Sequence, residues 1–331
     1  MIRVLKQLFF LWVFVLSIGC VSCNKNNPPD DQPDNPDDTI STKPPSIHGK
    51  MVYHTYSCYS CYDSKLYYLD FDTKQLVCLS TNWEIDNPMN AHFSPDGKNI
   101  VFMGTSSGTN NWDVFLYKTG TTLAPINLTS GSAGRDEDPK FSPDGTKIVF
   151  KQNGILTEMD TTGLVLKVYE LQQTEASMPY YSSDGNNILY AATGKDESNL
   201  DIFLVSRLDG TSRILSSTTN VEDYYPIVRN DTSFLFSRWY APDNMNDQVY
   251  LGFYDDRSSV RLPFNEVFAN CSDAYPVDDR NLVLSSTKKG GRGGYDLYVA
   301  DIKTGKMWSI NVYNPYINTS DNELGACYLN K

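Results

Sequence analysis

After residue 47 the chain alternates short apolar runs with polar breaks, and the runs have the length and composition of strands. An aromatic residue, Phe93 or Phe141, closes one run; after a polar break, Ile100-Val101-Phe102 or Ile148-Val149-Phe150 opens the next. β-Branched and aromatic side chains bounded by Gly, Pro, Asn and Asp predict strands rather than helices. A third run recurs as Asp113-Val114-Phe115-Leu116-Tyr117, Asp201-Ile202-Phe203-Leu204-Val205 and Asp296-Leu297-Tyr298-Val299-Ala300. A turn such as Asp209-Gly210 or Thr304-Gly305 then leads to a fourth, such as Arg213-Ile214-Leu215. The polar break is itself a turn with a mechanism. In Ser94-Pro95-Asp96-Gly97 and Ser142-Pro143-Asp144-Gly145, Pro presets φ, Asp bonds nearby backbone and Gly tolerates the exit. Ser182-Ser183-Asp184-Gly185 keeps all but the proline.

Weaker copies of this unit start at Pro226, Pro276 and Pro315, carrying Asp231, Asp279 and Asp321. With the six aspartates as markers, the repeat length is 40–48 residues. Four short strands at that period are the signature of a propeller blade, because one such sheet cannot cover both its faces and must stack on its neighbours. The expected fold is all-β: a six-bladed β-propeller of four-stranded antiparallel blades, closed by joining N- and C-terminal strands. Residues 49–56 and 65–71 read as the second and third strands of a blade that lacks its innermost strand. Residues 314–318 are expected to supply that strand, which leaves 322–329 as a surplus segment beside the blade or over its end.

These repeats resemble the WD40-like repeat of TolB-type propellers, in which the Ser-Pro-Asp-Gly turn is the family mark. The likeness covers nearly everything after residue 47; two turns match fully and a third keeps Ser-Asp-Gly. Residues 290–298, Gly-Gly-Arg-Gly-Gly-Tyr-Asp-Leu-Tyr, also look like a blade opening of such repeats fused to OmpA-family proteins. The resemblance implies a non-catalytic module that binds partner proteins of the cell envelope. It also brings two rival readings: a glycan-binding propeller supporting polysaccharide uptake, and a metal-dependent lyase acting on acidic sugars. The lyase sites of related propellers need several histidine ligands, and this chain has only His48, His54 and His92.

The N-terminal segment changes the address rather than the fold. Arg3 and Lys6 precede an apolar run over 8–18 that is too short to span a bilayer and suits a signal peptide. Cys20 and Cys23 each follow small residues, which resembles the lipobox of bacterial lipoproteins; both remain candidates for lipidation, beside an ordinary cleaved signal. Residues 1–23 are therefore read as a lipoprotein signal and 24–46 as an acidic, Pro-rich tether carrying Asp30, Asp31, Asp34, Asp37 and Asp38. The tether lacks the central Gly and terminal Glu of a calcium-binding loop. An acidic stretch after the lipidated cysteine also resembles the surface-export signal of some Bacteroidetes lipoproteins. The expected location is the outer membrane, lipid-anchored on its periplasmic face or at the cell surface. The propeller would span 47–331.

Composition narrows the chemistry. The 331 residues carry 28 Lys plus Arg against 40 Asp plus Glu, a net charge of −12, which argues against a nucleic-acid partner. Gly104-Thr105-Ser106-Ser107-Gly108 fits the hydrolase Gly-x-Ser-x-Gly pattern, but no histidine follows it, so it reads as a hairpin loop. The 290–294 glycines end in no Gly-Lys-Ser/Thr and read as a flexible loop, whose neighbours Lys288, Lys289 and Arg292 form a basic spot with a minor contact role. Cys58-x-x-Cys61 lacks a second pair and reads as a loop disulfide, with a metal site involving His54 as the alternative. Cys78, Cys271 and Cys327 are scattered, and Cys327 reaches the same blade if the termini meet there.

Carboxylates recur before each innermost strand: Glu84, Asp86, Asp136, Glu137, Asp138, Glu175, Glu222, Asp223 and Asp273. Six converging loops would set them around one mouth of the central channel, where they could hold a cation or a basic peptide segment. The competing account is local, each carboxylate bonding amides of its own loop. Trp83, Tyr224, Tyr225 and Trp239 lie nearby as apolar contact area or strand-end packing. No catalytic residue, metal ligand or cofactor is assigned, and a monomer is expected.

Overall fold

The computed structural model describes residues 43–194, 199–240 and 246–330. The signal segment with Cys20 and Cys23, and the tether up to residue 42, lie outside the described residues. The described residues belong to one compact unit.

Among the described residues, six four-stranded antiparallel sheets follow one another around an axis. Blade 1 takes β1 (Lys50–Tyr56), β2 (Lys65–Asp70) and β3 (Gln75–Cys78) from one end of the chain. Blade 2 is β4 (Ile85–Phe93), β5 (Asn99–Ser106), β6 (Trp112–Lys118) and β7 (Ile126–Asn127). Blade 3 is β8 (Asp136–Phe141), β9 (Lys147–Gln152), β10 (Ile155–Asp160) and β11 (Val165–Val168). Blade 4 is β12 (Thr174–Tyr181), β13 (Asn187–Thr193), β14 (Leu200–Ser206) and β15 (Ser212–Ser216). Blade 5 is β16 (Val221–Val228), β17 (Ser233–Tyr240), β18 (Asp247–Phe253) and β19 (Ser259–Arg261). Blade 6 is β20 (Cys271–Pro276), β21 (Asn281–Ser286), β22 (Asp296–Asp301) and β23 (Met307–Ser309). The final strand, β24 (Asn322–Leu329), returns to pair with β1 and completes blade 1.

The core lies in the seams between blades, and strand alternation divides it. Val52 packs toward blade 2 while its neighbours Met51 and Tyr53 pack toward blade 6. Val149 joins the blade 3–4 seam, whereas Ile148 and Phe150 join the 2–3 seam. Leu235 and Phe236 divide in the same way between the seams on either side of blade 5. Side chains that point to opposite faces in a period of two therefore feed two different cores, which is why these second strands read as unbroken apolar runs.

Ring closure differs from the sequence expectation in its details. The innermost strand of blade 1 is Asn322–Leu329, with Lys50 opposite Leu329 and Val52 opposite Cys327; residues 314–318 are not a strand. Ile317 is buried in the seam between blades 6 and 1 all the same, and Asn318 puts its side-chain amide where a strand partner would lie. It accepts from the Leu297 amide at 2.9 Å and donates to the Leu297 carbonyl at 3.0 Å. One side chain thus supplies the bonds of a β pair without a strand.

The turn residues behave as the motif requires in three blades. Ser94, Ser142 and Ser182 each accept from the backbone amide five residues on, at 2.9 Å, and donate to Asp96, Asp144 and Asp184. Gly97, Gly145 and Gly185 take φ near +70°, where a Cβ would be strained. In blades 5 and 6 the marker sits one residue earlier than expected. Asn230, not Asp231, accepts from the amide two residues on, and Asp278, not Asp279, does the same. Asp321 belongs to no such turn, because β24 and β1 are not joined in sequence.

Three local expectations resolve. Ser106 ends β5, and Ser107-Gly108 lies in the hairpin loop to β6. Cys58 and Cys61 are joined in a disulfide, while Cys78, Cys271 and Cys327 are free thiols. The 290–294 loop is a clamp rather than a free loop. The Arg292 guanidinium donates to the Pro315 and Asn318 carbonyls, at 3.2 and 3.3 Å, and Tyr295 accepts from the Glu323 amide at 2.8 Å. A Cβ on Gly293 would collide with the Asp321 carbonyl. Lys288 is ion-paired with Glu266.

Candidate functional site: the central channel

In β4 and β12 the ladder breaks twice, with a second left-handed residue at Asn87 and Glu175; every innermost strand turns one left-handed residue toward the axis at the same phase of the repeat. The six are Asn90, Asp138, Met178, Tyr225, Asp273 and Gly325, with φ between 49° and 61°. Every one directly precedes a proline or alanine. Register shifts in the ladders of β4, β8, β12, β16, β20 and the β1–β24 pair mark these bulges. A bulge adds one residue to one strand and re-aims its side chains. Five of the six positions are not glycine, and a left-handed conformation costs an L-residue about 1–2 kcal/mol. Strain of this kind, repeated around a ring, is a feature of built sites.

The ring separates two spaces. Above it a mouth of about 440 Å³ opens, walled by Met89, Met103, Met178, Tyr56, Tyr59 and Tyr225 among others. Below it the channel narrows to about 50 Å³, lined by the residues two positions further along each strand: His92, Lys140, Ile227, Tyr275 and Cys327. Tyr180 completes that layer. His92 Nε2 lies 3.2 Å from the Tyr180 hydroxyl, which lies 3.0 Å from the Tyr275 hydroxyl. This chain of hydrogen bonds joins blades 2, 4 and 6 across the channel.

The electrostatics follow from burial. Asp138 and Asp273 stand on blades 3 and 6, three blades apart and so across the ring from one another. Asp138 accepts from the Asn90 side chain at 2.7 Å, and burial raises its carboxyl above the usual range. Burial, reinforced by Asp247, pushes Asp273 up to about 6. Burial lowers Lys140 below the usual lysine range. His54 is pushed down to about 3 by burial, and His92 is pushed well below its ordinary value by burial and by Lys140, so both imidazoles are neutral at pH 7. Among the described residues no group of three or more His, Cys, Asp or Glu side chains converges as a metal site.

The expected ring of carboxylates is therefore split. Asp138, Glu137, Glu175 and Asp273 line the mouth. Glu137 is matched by Arg135 at 2.5 Å and Lys151 at 3.3 Å, and Lys151 also lies 3.7 Å from Glu175. Asp136 is buried inside the blades, accepting from Gln152 at 3.0 Å. Asp223 is also fully buried, held by both Nε and Nη2 of Arg238, at 2.7 and 2.8 Å, and by Ser216. Glu222 accepts from the Leu200 amide at 2.6 Å and stands opposite Trp239 in the β16–β17 ladder. Glu84 is exposed and Asp86 half-buried; both lie outside the walls of the mouth. Trp83 stacks on Phe102 at 5.1 Å as core packing, and Tyr224 bonds Asp247. The bulges decide this sorting, since a bulge resets which of three consecutive acidic residues faces the axis. Asn90, Met178, Gly325, Lys140, Tyr180 and Tyr275 escaped the sequence reading. Their signal was present as a residue before Pro or Ala at one phase of every repeat.

Comparison with known proteins agrees with this architecture. No protein-family model matches the chain. Dipeptidyl-peptidase 5 of Porphyromonas gingivalis is 29% identical over 157 residues, which is 42% of this chain and 22% of that protein. The chain thus matches under a quarter of that relative's length. Among solved structures, TolB of Acinetobacter baumannii superposes with a TM-score of 0.65 at 16% identity, covering 87% of this chain and 68% of that one. A TolB-like protein of Agrobacterium tumefaciens gives 0.60 at 13% identity, covering 87% of this chain and all of the other. The fold is a six-bladed propeller of the TolB-like type.

Proposed function

We propose that this protein is a non-catalytic binding module of the cell envelope, which captures a basic segment of a partner protein in the mouth of its channel. The observation that carries the reading is the ring of six left-handed residues. It sets Asp138 and Asp273 on the floor of a mouth whose walls include three methionines and three tyrosines beside Glu137, Glu175 and Lys151. Methionine adapts to varied side chains, tyrosine supplies contact area at low entropic cost, and two carboxylates below attract an ammonium or guanidinium. The likeness to TolB supports a binding role at the level of fold alone. The non-catalytic reading is supported by the site's own geometry: His92 is committed to the Phe141 amide at 3.2 Å and to Tyr180, and His54 accepts from the Asn90 amide at 3.4 Å. The partial match to a dipeptidyl-peptidase concerns a protein several times longer than the matched segment. In this reading the protein acts as a monomer held to the outer membrane by a lipid on Cys20 or Cys23, and the mass of the mature N-terminus distinguishes the two.

Random-peptide display on residues 41–331 tests the binding role. Enriched peptides should carry Lys or Arg. Their affinity should fall at least about tenfold, or roughly 1.4 kcal/mol, in the Asp138→Asn/Asp273→Asn double variant. Enrichment without basic residues, or affinity unmoved by the double variant, would refute it.

A further inference from the structure

The hairpin turns lie at the other end of the innermost strands, and there blades 1 to 4 are sealed in succession by one recurring contact. A Cβ on Gly97 would lie 2.7 Å from Leu329, one on Gly145 3.2 Å from Pro95, and one on Gly185 3.4 Å from Pro143. In each case an apolar side chain of one blade closes onto the turn glycine of the next. Between blades 4 and 5 both halves of the contact are replaced. Ser183 stands at the proline position, and Asp231 follows Asn230 where glycine follows aspartate in blades 2, 3 and 4; in the next seam Asp279 also replaces the glycine, and Arg229 donates to its carbonyl at 2.6 Å. The alignment is set by the hydrogen bonds: Asn230 accepts from the Thr232 amide at 3.1 Å as Asp184 accepts from the Asn186 amide at 2.9 Å.

Both substituted residues line a cleft of about 600 Å³ in that seam, within the roughly 300–1,000 Å³ range of small-ligand sites. Tyr254 forms one wall, with its ring 5.4 Å from Phe234 and its hydroxyl buried without a hydrogen-bond partner. Arg213 crosses the seam, donating from Nη1 to the Tyr254 carbonyl at 3.0 Å. Two carboxylates, Asp184 and Asp231, thus share the cleft with one guanidinium and the amides of Asn187 and Asn230.

We propose that this cleft is a saccharide-binding site, independent of the channel mouth. Planar carboxylate, amide and guanidinium groups offer fixed acceptors and donors to ring hydroxyls, and an aromatic wall takes the apolar face of a pyranose. Two carboxylates disfavour an acidic ligand, and the guanidinium between blades disfavours a bare cation. A neutral disaccharide satisfies both conditions.

Saturation-transfer NMR on the full-length chain, with maltose, cellobiose and lactose each at about 10 mM, tests the assignment; at least one should bind with millimolar or tighter affinity. Arg213→Ala and Asp231→Ala should each weaken that binding about tenfold or more. Ser183→Pro, which copies Pro95 and Pro143, should abolish it while leaving the melting temperature unchanged or higher. Glu175→Gln, on the opposite face, should leave it intact. Absence of binding by all three sugars, or binding that survives Ser183→Pro and Asp231→Ala, would overturn the proposal.

Discussion

Glu323 is fully buried in the closing strand, yet one of its carboxylate oxygens has no hydrogen-bond partner. The other accepts from the Thr319 amide and hydroxyl, at 3.2 and 2.6 Å. Burial, with Asp296 and Asp321 adding to it, pushes the carboxyl up to about 7. The folded state therefore binds this proton more tightly than the unfolded chain does. That contribution is complete below the unfolded value near 4.5 and is lost as pH rises through 7. Glu323→Gln keeps an acceptor for Thr319 and removes the charge. It should stabilise the protein at pH 8 by up to about 3 kcal/mol and change little at pH 4, as read from urea melts at the two values. Asp223 shows the opposite solution to a buried carboxylate, with Arg238 matched to it two bonds for two. Asp223 was visible in the chain as an acid before an innermost strand, whereas Glu323 lay in the segment read as surplus. Which of them would find a cation was not visible, because the partner sits on a neighbouring strand or blade.

At the scale of the element, the Ser-x-Asp-Gly hairpin was the most legible feature, since all its bonds fall within six residues. Ser142 Oγ accepts from the Lys147 amide at 2.9 Å and donates to Asp144 at 2.6 Å, and the Ser142 hydroxyl also lies 3.2 Å from the Lys147 carbonyl. Ser142→Ala leaves that amide and that carboxylate short of a partner. It should cost about 1–2 kcal/mol in chemical denaturation, with the slope of the transition unchanged. The one-residue offset at Asn230 and Asp278 was missed for a local reason. Asn bonds backbone as Asp does, and an adjacent aspartate in each turn drew the marker away. The bulges of the innermost strands were missed for a different one. A bulge is defined by its partner strand, and only the ladder shows where two residues face one.

Over the whole molecule, closure depends on a single strand contributed from the far end of the chain. β24 pairs with β1 on one side, and the 290–294 clamp and Asn318 hold its approach. Leu329 stands opposite Lys50, as Phe93 stands opposite Ile100 across a Ser-Pro-Asp-Gly hairpin. A circular permutant that moves residues 319–329 in front of Lys50, joined by the six-residue loop sequence Ser-Pro-Asp-Gly-Lys-Asn, should therefore fold to the same propeller. Its melting temperature should lie within about 5 °C of the parent, since blade pairing is unchanged and one long-range closure becomes a local hairpin. Aggregation or loss of the cooperative transition in that permutant would show that closure from the far end is required rather than incidental.

The amino-acid sequence by itself determined the blade, its four strands, the number of blades and the fact of closure through the termini. These depend on period-two alternation and on turns whose bonds are made within a few residues, so a local reading suffices. Tertiary structure alone decided which C-terminal segment closes the ring, which carboxylates reach the channel, and where a seam opens into a cleft. Residues 314–318 and Asn322–Leu329 are both plausible strands in isolation, and only the vacancy beside β1 and the clamp from blade 6 choose between them. Asp136, Asp138 and Asp223 are the same side chain in similar settings, separated by a bulge here and an arginine there. Those outcomes are set by contacts between residues distant in the chain, which no local pattern encodes.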